Sequence, residues 1–521
     1  MRPVHRFEPL LLAAFLGACA GPTSPGPRPA APAAAGPPPS VAAPPSDVEA
    51  AFVRVRDDPA QLYPFLRTMP KGGDLHSHLS GAVYAESFLA WADEDGLCVE
   101  QATLTLVAPP CDADGGRPTA AAARADAGLR SGLIDAFSTR NYHPEVENGH
   151  ERFFSTFDRF GAVTNGREGD MLAEAQARAA SGNVRYLELM NTTGGLPPLF
   201  FSVPWNDDLD AMRQALLDGG LAAHVEDVRR TLDATEARRD AVLGCGGPSS
   251  DAGCAVEVRW LYQVLRAFPR HAVFSMILTG FELADRDDRV VGFNLVQPED
   301  DRVAMEDYRL HMRIIGHLGR LYPDVRVTLH AGELWEGLVP PEGLRFHIRE
   351  AVEVAGARRI GHGIDVLHED DPYALLRRMA RDRVMVEINL TSNDVILGVS
   401  GAEHPLGTYL EYGVPVALST DDEGVSRSEM TLEYVRAVQD QGVDYATLRA
   451  MARNSLEYAF VEGASVWADV ATWTPVAACS AEAGGWAGMP CVRWTGVSPK
   501  ARLQRDLEME LADFEAGGWP R

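Results

Sequence analysis

Two histidines lie two residues apart at the end of a β-rich run near the start of the chain. The run covers residues 73–78, and side chains two apart on a strand point the same way. Asp74, His76 and His78 are therefore expected to share one face, which would aim two imidazoles at one point, as a transition metal needs. Taken alone, the pattern fits two structural histidines equally well.

A second candidate group follows the apolar run at residues 325–330. The run ends in His330 and turns through Ala331 and Gly332 into Glu333. At the end of a strand, His330 could supply a third metal ligand, and Glu333 would lie close enough to act as an acid or a base. A solvated loop carboxylate is the simpler interpretation of Glu333 in isolation.

Two further strand-like runs also end in residues that could do chemistry. Residues 359–362 end in His362, which stands between two glycines and has little bulk beside it. The run at 416–419 precedes the adjacent carboxylates Asp421 and Asp422, which repel each other unless a cation or substrate separates their roles. A structural histidine and a capped turn are the ordinary alternatives, but four such signals in this order reinforce one another.

Positioning these side chains requires strands that alternate with helices. Helical periodicity is clear at residues 301–321 and 430–439. The candidate strands cover residues 73–78, 184–190, 256–264, 290–295, 325–330, 359–362, 384–388 and 416–419. Eight strands separated by helices predict an α/β fold, a closed (β/α)8 TIM barrel with its active site at the carboxyl ends of the strands. An open doubly wound sheet is the alternative, but no Gly-rich phosphate loop follows the first strand.

The composition excludes several classes of function. The 521 residues are 46% hydrophobic and 23% charged, with a formal net charge of −26. A chain this anionic repels phosphate backbones, and we expect no nucleic-acid partner. No apolar run reaches the ~20 residues of a transmembrane helix, which excludes a multi-pass membrane protein.

The first residues predict an export signal rather than part of the folded domain. A basic start, a short apolar stretch and the sequence Leu-Gly-Ala before Cys19 are typical of a bacterial lipoprotein signal at residues 1–19. In that class Cys19 is lipidated, so the protein would meet a membrane only through a lipid anchor at the cell envelope. An ordinary signal peptide is the alternative. Residues 20–48 predict a Pro/Ala-rich linker, and residues 49–521 the barrel.

The other six cysteines fall into three couples that are close in sequence. They are Cys98 with Cys111, Cys245 with Cys254, and Cys479 with Cys491. Six cysteines allow fifteen pairings. Local pairing, in loop insertions of the barrel, is the most economical interpretation for an exported chain, and buried free thiols rank second.

Between residues 55 and 465 the chain resembles the adenosine deaminase family. The motifs are DLHSHLSG at 74–81, HAGE at 330–333, IGHG at 360–363 and STDD at 419–422, together with Glu387, Ser392-Asn393 and His404-Pro405. The export signal and cysteine-bearing insertions look most like the secreted adenosine deaminase-related growth factor branch. The resemblance implies a zinc enzyme that converts adenosine, or a related aminopurine nucleoside, to the 6-oxo product and ammonia.

The resemblance also assigns roles to residues. The implied zinc ligands are His76, His78, His330 and Asp421. Zinc would lower the pKa of the attacking water towards ~7. The other implied roles are that His362 orients this water, Asp421 helps to take its proton, Glu333 protonates the purine ring nitrogen, and Asp422, Gln297 and Asp74 contact the substrate.

This chain departs from the family pattern at three positions around the substrate. Gln297 replaces a Gly that lies against the purine, Asn294 replaces an Asp, and Glu423 replaces a common Pro. Because Pro298 follows, residue 297 is expected to be extended. Two other classes therefore stay open: a zinc barrel hydrolase for a different amino-heterocycle or amide, and a non-catalytic nucleoside-binding surface module.

Overall fold

The computed structural model describes residues 46–520. The predicted signal, Cys19 and residues 20–45 of the predicted linker lie outside the described residues. The first helix, Asp47–Val55, begins within the last residues assigned to that linker. Ser46 caps it, because the Ser46 hydroxyl accepts from the Glu49 N–H while the Glu49 carboxylate accepts from the Ser46 N–H.

Eight parallel strands form one sheet whose spatial order follows the chain. They are β1 (Gly72–His78), β2 (Val184–Asn191), β3 (Glu257–Leu265), β4 (Val290–Val296), β5 (Arg326–Ala331), β6 (Arg359–His362), β7 (Met385–Ile388) and β8 (Val416–Leu418). The sheet closes where Ser77 bridges Asp421, because the His78 N–H donates to the Asp421 carbonyl at 2.9 Å. The predicted (β/α)8 barrel is confirmed.

Helices cover the outside of the barrel between the strands. The longer ones after β1 are Ala85–Glu94, Ala127–Ala136, Gly149–Thr164 and Glu168–Ser181; after β2, Leu209–Asp218 and Leu221–Leu243; after β3 and β4, Arg270–Ala284 and Arg302–Leu321; and after β6, Pro372–Asp382. Shorter pieces are Pro59–Thr68 before β1, Ala120–Ala125, Leu199–Ser202, His347–Glu350, Leu390–Leu397, Leu406–Glu411 and Glu423–Ser426. The chain ends with Met430–Gln439, Tyr445–Glu457, Met489–Thr495 and Pro499–Glu515.

Apolar side chains fill both surfaces of the barrel wall. The interior holds Leu75, Tyr186, Met385 and Ala417, which pack against residues of the C-terminal helices such as Leu456. The outward faces of the strands pack against the helices in one large cluster. Strands buried on both faces need continuous apolar runs, which is why the strand positions could be found in the sequence.

The three predicted disulfides are present in the structure. They join Cys98 to Cys111, Cys245 to Cys254, and Cys479 to Cys491. The loop closed by Cys98 and Cys111 contains a small antiparallel ribbon, Cys98–Glu100 with Thr105–Val107. A second ribbon, Trp467–Asp469 with Thr474–Pro475, precedes Cys479. Over residues 46–520, no helix has the length and apolar character needed to cross a bilayer.

Candidate active site

Four side-chain atoms converge at the carboxyl end of the barrel. The Nε2 atom of His330 lies 3.0 Å from Nε2 of His76 and 3.3 Å from Nε2 of His78. The Oδ1 atom of Asp421 lies 3.4 Å and 3.3 Å from the same two histidine nitrogens. Donors held at 2.0–2.1 Å from one tetrahedral metal are separated by about 3.3 to 3.4 Å. Four of the six distances among the predicted ligands are therefore close to the spacing of donors around one metal ion.

Each of the three imidazoles is held at Nδ1 by a side chain from another strand of the barrel. His76 meets Glu387 at 2.7 Å, His78 meets Gln263 at 3.1 Å and His330 meets Asn294 at 3.0 Å. A bond at Nδ1 fixes the ring and leaves Nε2 to face a metal. Asn294, the departure from the family pattern, thus provides an oxygen for His330.

Asp421 and His330 favour the charge states that bind a metal. Against burial, which lowers it, hydrogen bonds to Asp421 and Glu387 raise the pKa of His76 to about 10, so a metal ion would have to displace that proton. Burial would raise the pKa of Asp421, but hydrogen bonds from His76 and His78 outweigh it and hold that pKa well below its usual value. Burial lowers the pKa of His330 well below its usual value, and the neighbouring His76 adds to this effect. A neutral imidazole and an ionised carboxylate are the forms that bind metal.

A second arrangement of possible ligands includes His362. Potential ligand atoms of His76, His330, His362 and Asp421 lie within 4.8 Å of one another, as do those of His78, Asp421 and Asp422. His362 differs from the other three imidazoles because its Nδ1 lies 2.9 Å from an amide nitrogen, Nδ2 of Asn393, rather than from an oxygen. Burial lowers the pKa of His362 to about 3. Its Nε2 is buried without a hydrogen-bond partner among the described residues.

A cavity of about 390 Å³ opens beside this cluster. Phe153, Phe154 and Phe157 of helix Gly149–Thr164 form an aromatic wall. The polar lining includes His78, Gln263, Gln297, His330 and four carboxylates, Asp158, Glu333, Asp421 and Asp422. An apolar slot with a few convergent polar groups is the usual form of a small-molecule site.

Glu333 lies in the cavity, in surroundings that favour its protonated form. Its side chain is buried, and burial together with the charge of Asp421 raises the pKa of Glu333 well above its usual value. The Gly332 and Glu333 N–H groups both donate to the buried carboxylate of Glu299, at 3.2 Å and 2.8 Å. His347 donates to the same carboxylate at 2.6 Å. The hydrogen bonds to Glu299 therefore fix the turn that carries Glu333.

Asp422 is buried at the cavity wall beside the metal cluster. Burial is the main cause that raises the pKa of Asp422 to about 8, and the charge of Asp421 adds to it. Its Oδ1 has no hydrogen-bond partner among the described residues. A Cβ atom on Gly81 would lie 1.4 Å from this oxygen, so only glycine fits there.

Gln297 lines the cavity, but its backbone differs from the expectation. Its φ is +78°, in the left-handed region, although Pro298 favours an extended residue. Two hydrogen bonds hold it there: Arg266 Nε donates to the Gln297 carbonyl at 2.8 Å, and the Ala267 N–H donates to Gln297 Oε1 at 3.0 Å. With Oε1 engaged, the amide NH2 is the part of Gln297 that can meet a ligand.

The structure does not bring Asp74 into the cavity lining. The pairing of β1 with β2 is irregular between Asp74 and Ser77, so the simple alternation of faces fails there. The Asp74 carboxylate instead accepts from the Thr420 hydroxyl at 2.6 Å and from the His76 N–H at 3.2 Å. Its position ties β1 to the segment after β8, and the predicted substrate contact is corrected accordingly.

Several residues that shape the site could not be identified as functional from sequence. Arg266 is fully buried at the end of β3, and its NH1 donates to the His330 carbonyl at 3.2 Å. Glu299 lies two residues after Gln297, but nothing in the sequence assigns it a partner. The aromatic wall shows in sequence only as the hydrophobic face of a helix.

The fold and the cluster together define a (β/α)8 barrel with a buried histidine–aspartate site that could hold a metal ion. The sequence model of the adenosine deaminase family matches residues 228–466, a little under half of the chain. The matched region runs from the helix before β3 past β8, so His76 and His78 lie outside it. In the structure both histidines nevertheless lie beside His330 and Asp421, which are inside the matched region.

Curated relatives are adenosine deaminases. That of Shewanella loihica is 36% identical over 142 residues, which are 26% of this chain and 38% of the relative. That of Serratia proteamaculans is 37% identical over 138 residues, with the same coverage of 26% and 38%. The match thus spans 38% of these relatives' length.

Solved structures share the fold. Arabidopsis ADAL complexed with IMP has a TM-score of 0.51 and 20% identity, covering 76% of this chain and 93% of that chain. A second ADAL–IMP complex has a TM-score of 0.51 and 18% identity, covering 87% of this chain and 99% of the other.

Proposed function

We propose that this protein is a zinc-dependent aminohydrolase that converts adenosine or a related aminopurine nucleoside to the 6-oxo product and ammonia. The observation that carries the proposal is one cavity lined both by three of the four candidate metal ligands, His78, His330 and Asp421, and by Glu333, whose buried carboxyl has a raised pKa. The match to the adenosine deaminase family model and the similarity to curated adenosine deaminases support the choice of a purine.

His76, His78, His330 and Asp421 would hold the zinc ion. When bound, zinc supplies Lewis acidity that lowers the pKa of water near it. Glu333 donates its proton to the ring nitrogen beside the attacked carbon, which lets the ring accept electrons. His362 orients the attacking water and Asp421 helps to take its proton, while Asp422 receives the imidazole-ring side of the purine.

The cavity favours a nucleoside over its phosphate ester. The solved ADAL structures contain IMP, a nucleotide. Among the described residues that line this cavity, none is Lys or Arg, whereas four are carboxylates. Asp158, the exposed member on the aromatic helix, lies where a 5′-phosphate would meet like charge. A neutral ribose hydroxyl could instead donate to it.

Ammonia release from a substrate panel tests the proposal. The zinc-loaded mature chain is incubated with adenosine, its 5′-phosphate, adenine and other amino-heterocycles. We expect adenosine to react and its 5′-phosphate to react much more slowly. The metal-stripped protein and a Glu333→Gln variant are the controls. Release only from a different heterocycle or an amide would favour another zinc hydrolase, and no release with retained nucleoside binding would favour a binding module.

Gln297 supports a second candidate substrate, an aminopurine with an extra polar substituent. The amide NH2 of Gln297 can donate to such a group from the cavity wall. A modified aminopurine that reacts faster than adenosine in the same panel would favour this alternative.

We also propose that the chain is exported and anchored by a lipid on Cys19. The order of basic start, apolar stretch and small residues before Cys19 supports this, and so do the three disulfides, which persist in oxidising compartments. Mass spectrometry of the membrane fraction would identify the lipid. A Cys19→Ser protein that still fractionates with membranes like the wild type would show that Cys19 is not the anchor.

A further inference from the structure

A chain of buried hydrogen bonds leads from the loop after β7 to His362. The Leu406 N–H donates to Nδ1 of His404 at 3.1 Å. Nε2 of His404 lies 3.3 Å from Oδ1 of Asn393, and Nδ2 of Asn393 lies 2.9 Å from Nδ1 of His362. The three side chains that these hydrogen bonds connect, His404, Asn393 and His362, are at most 4% exposed.

The donor and the acceptor of each of these hydrogen bonds can be assigned, starting from the Leu406 N–H. A backbone N–H can only donate, so Nδ1 of His404 accepts and its proton lies on Nε2. That proton goes to Oδ1 of Asn393, which turns the amide NH2 towards His362. Nδ1 of His362 therefore accepts, and the ring proton of His362 lies on Nε2.

Burial keeps His404 in the neutral form that this assignment needs. Desolvation lowers the pKa of His404 to about 3, and the charge of Arg436 adds to the effect. A second amide, Nδ2 of Asn389, lies 3.4 Å from Nδ1 of His362. Both amides thus present N–H donors to the same ring nitrogen.

We propose that His404 and Asn393 are positioning residues that hold His362 as its Nε2–H tautomer, so that His362 presents a donor to the water in the active site. The role of His362 in this proposal rests on the proposed function. Its tautomer is inferred from the hydrogen bonds alone. Neither residue contacts the metal-ligand atoms. The two residues belong to the Ser392-Asn393 and His404-Pro405 motifs, which the proposed chemistry otherwise leaves without a role.

Two substitutions at residue 393 separate tautomer control from packing. Asn393→Asp keeps the shape but places an acceptor opposite Nδ1, which draws the ring proton to Nδ1 and removes the donor at Nε2. Asn393→Ala removes both groups and leaves Asn389 able to donate. We expect kcat to fall about 10²-fold or more in Asn393→Asp at a pH near 8, as it does when a catalytic histidine holds the wrong tautomer. The fall in Asn393→Ala is expected to be only about 10-fold.

A purely structural role predicts the opposite order, because alanine is the larger change in shape. Asn454→Asp is the matched control, since Asn454 donates only to the Val416 carbonyl at 2.8 Å and lies away from His362. Its kcat is expected to match that of the wild type. An Asn393→Asp protein with activity equal to or above that of Asn393→Ala would overturn the proposal.

Nitrogen NMR of protein with isotope-labelled histidine identifies the tautomer of His362 and requires no activity assay. The wild type should show His362 protonated at Nε2, and Asn393→Asp should show it protonated at Nδ1, with a His362→Gln spectrum identifying the signals. The wild-type spectrum requires no variant to fold, and a proton on Nδ1 there would refute the proposal. A correct spectrum in a protein that releases no ammonia from any purine would refute only the proposed function.

Discussion

Replacing Glu387 by glutamine should weaken zinc binding while leaving every proposed ligand in place. Oε2 of Glu387 lies 2.7 Å from Nδ1 of His76, and both side chains are fully buried. Oε1 of Glu387 accepts from Arg359 Nε at 2.6 Å and from the Thr328 hydroxyl at 2.8 Å. The carboxylate thus needs both of its oxygens as acceptors.

Glutamine has only one such oxygen, and the arginine decides where it goes. An amide NH2 on that side would face two donors, Arg359 Nε and the Thr328 hydroxyl, and leave both without this acceptor, so the oxygen stays there. The NH2 group then faces Nδ1 of His76, which must accept and place its proton on Nε2. That proton competes with the metal. Loss of such a partner typically costs 10- to 100-fold in metal affinity, and we expect the upper end, about 2.8 kcal/mol.

Chelator competition on the metal-free protein measures the zinc Kd directly. Glu188→Gln is the matched control, because Glu188 is also fully buried and binds the same arginine, at 2.5 Å, without touching His76. We expect Glu188→Gln to lose stability but to keep a Kd within about threefold of the wild type. Equal Kd values for Glu387→Gln and the wild type would refute the reasoning, and equal weakening in both variants would show that Arg359, not His76, transmits the effect.

Three other outcomes follow from the site and its surroundings. Glu333→Gln should keep zinc and bind a purine while kcat falls by about 10²-fold or more; unchanged turnover would remove Glu333 from the chemistry. Gln297→Gly should raise kcat/KM for adenosine if the amide obstructs the purine, and equal values in both proteins would show that it does not. Glu369 is 3% exposed, and burial raises its pKa to about 7 against the opposing effect of Arg349. Its protonated form is favoured in the folded state, so its contribution to stability is present below the unfolded pKa and is lost as the pH rises towards 7. Denaturation curves should therefore show Glu369→Gln equal to the wild type near pH 4.5 and more stable near pH 8, by at most about 3 kcal/mol; a difference independent of pH would contradict this.

The strands can be predicted because the barrel imposes a simple requirement on them. The sequence predicts a strand at residues 359–362, and the structure has Arg359–His362. Strands buried on both faces require apolar runs, and the carboxyl ends of parallel strands meet at one edge. The amino-acid sequence alone is therefore enough to group His76, His330 and Asp421.

Side-chain partners that come from distant parts of the chain cannot be predicted in this way. The neighbouring Pro298 predicts an extended Gln297, but Arg266 and Ala267, some thirty residues earlier, hold it in the left-handed region. Two tertiary hydrogen bonds override a local rule about backbone preference. The prediction for Asp74 fails for a similar reason, since an irregularity in the pairing of β1 with β2 breaks the alternation on which it depends.

Two buried polar atoms beside the metal cluster, on His362 and Asp422, are left for a ligand to pair with. Glu387, Asn294 and Glu299 each bind buried groups around the cavity and use their oxygens on protein donors. Nε2 of His362 and Oδ1 of Asp422 are buried as well but have no partner among the described residues. Leaving a buried polar atom unpaired costs about 1–3 kcal/mol, so these two atoms at the cavity favour a ligand that pairs with them. A ligand that presents an acceptor to His362 and a polar ring nitrogen to Asp422 would remove that cost, and water with an aminopurine provides both.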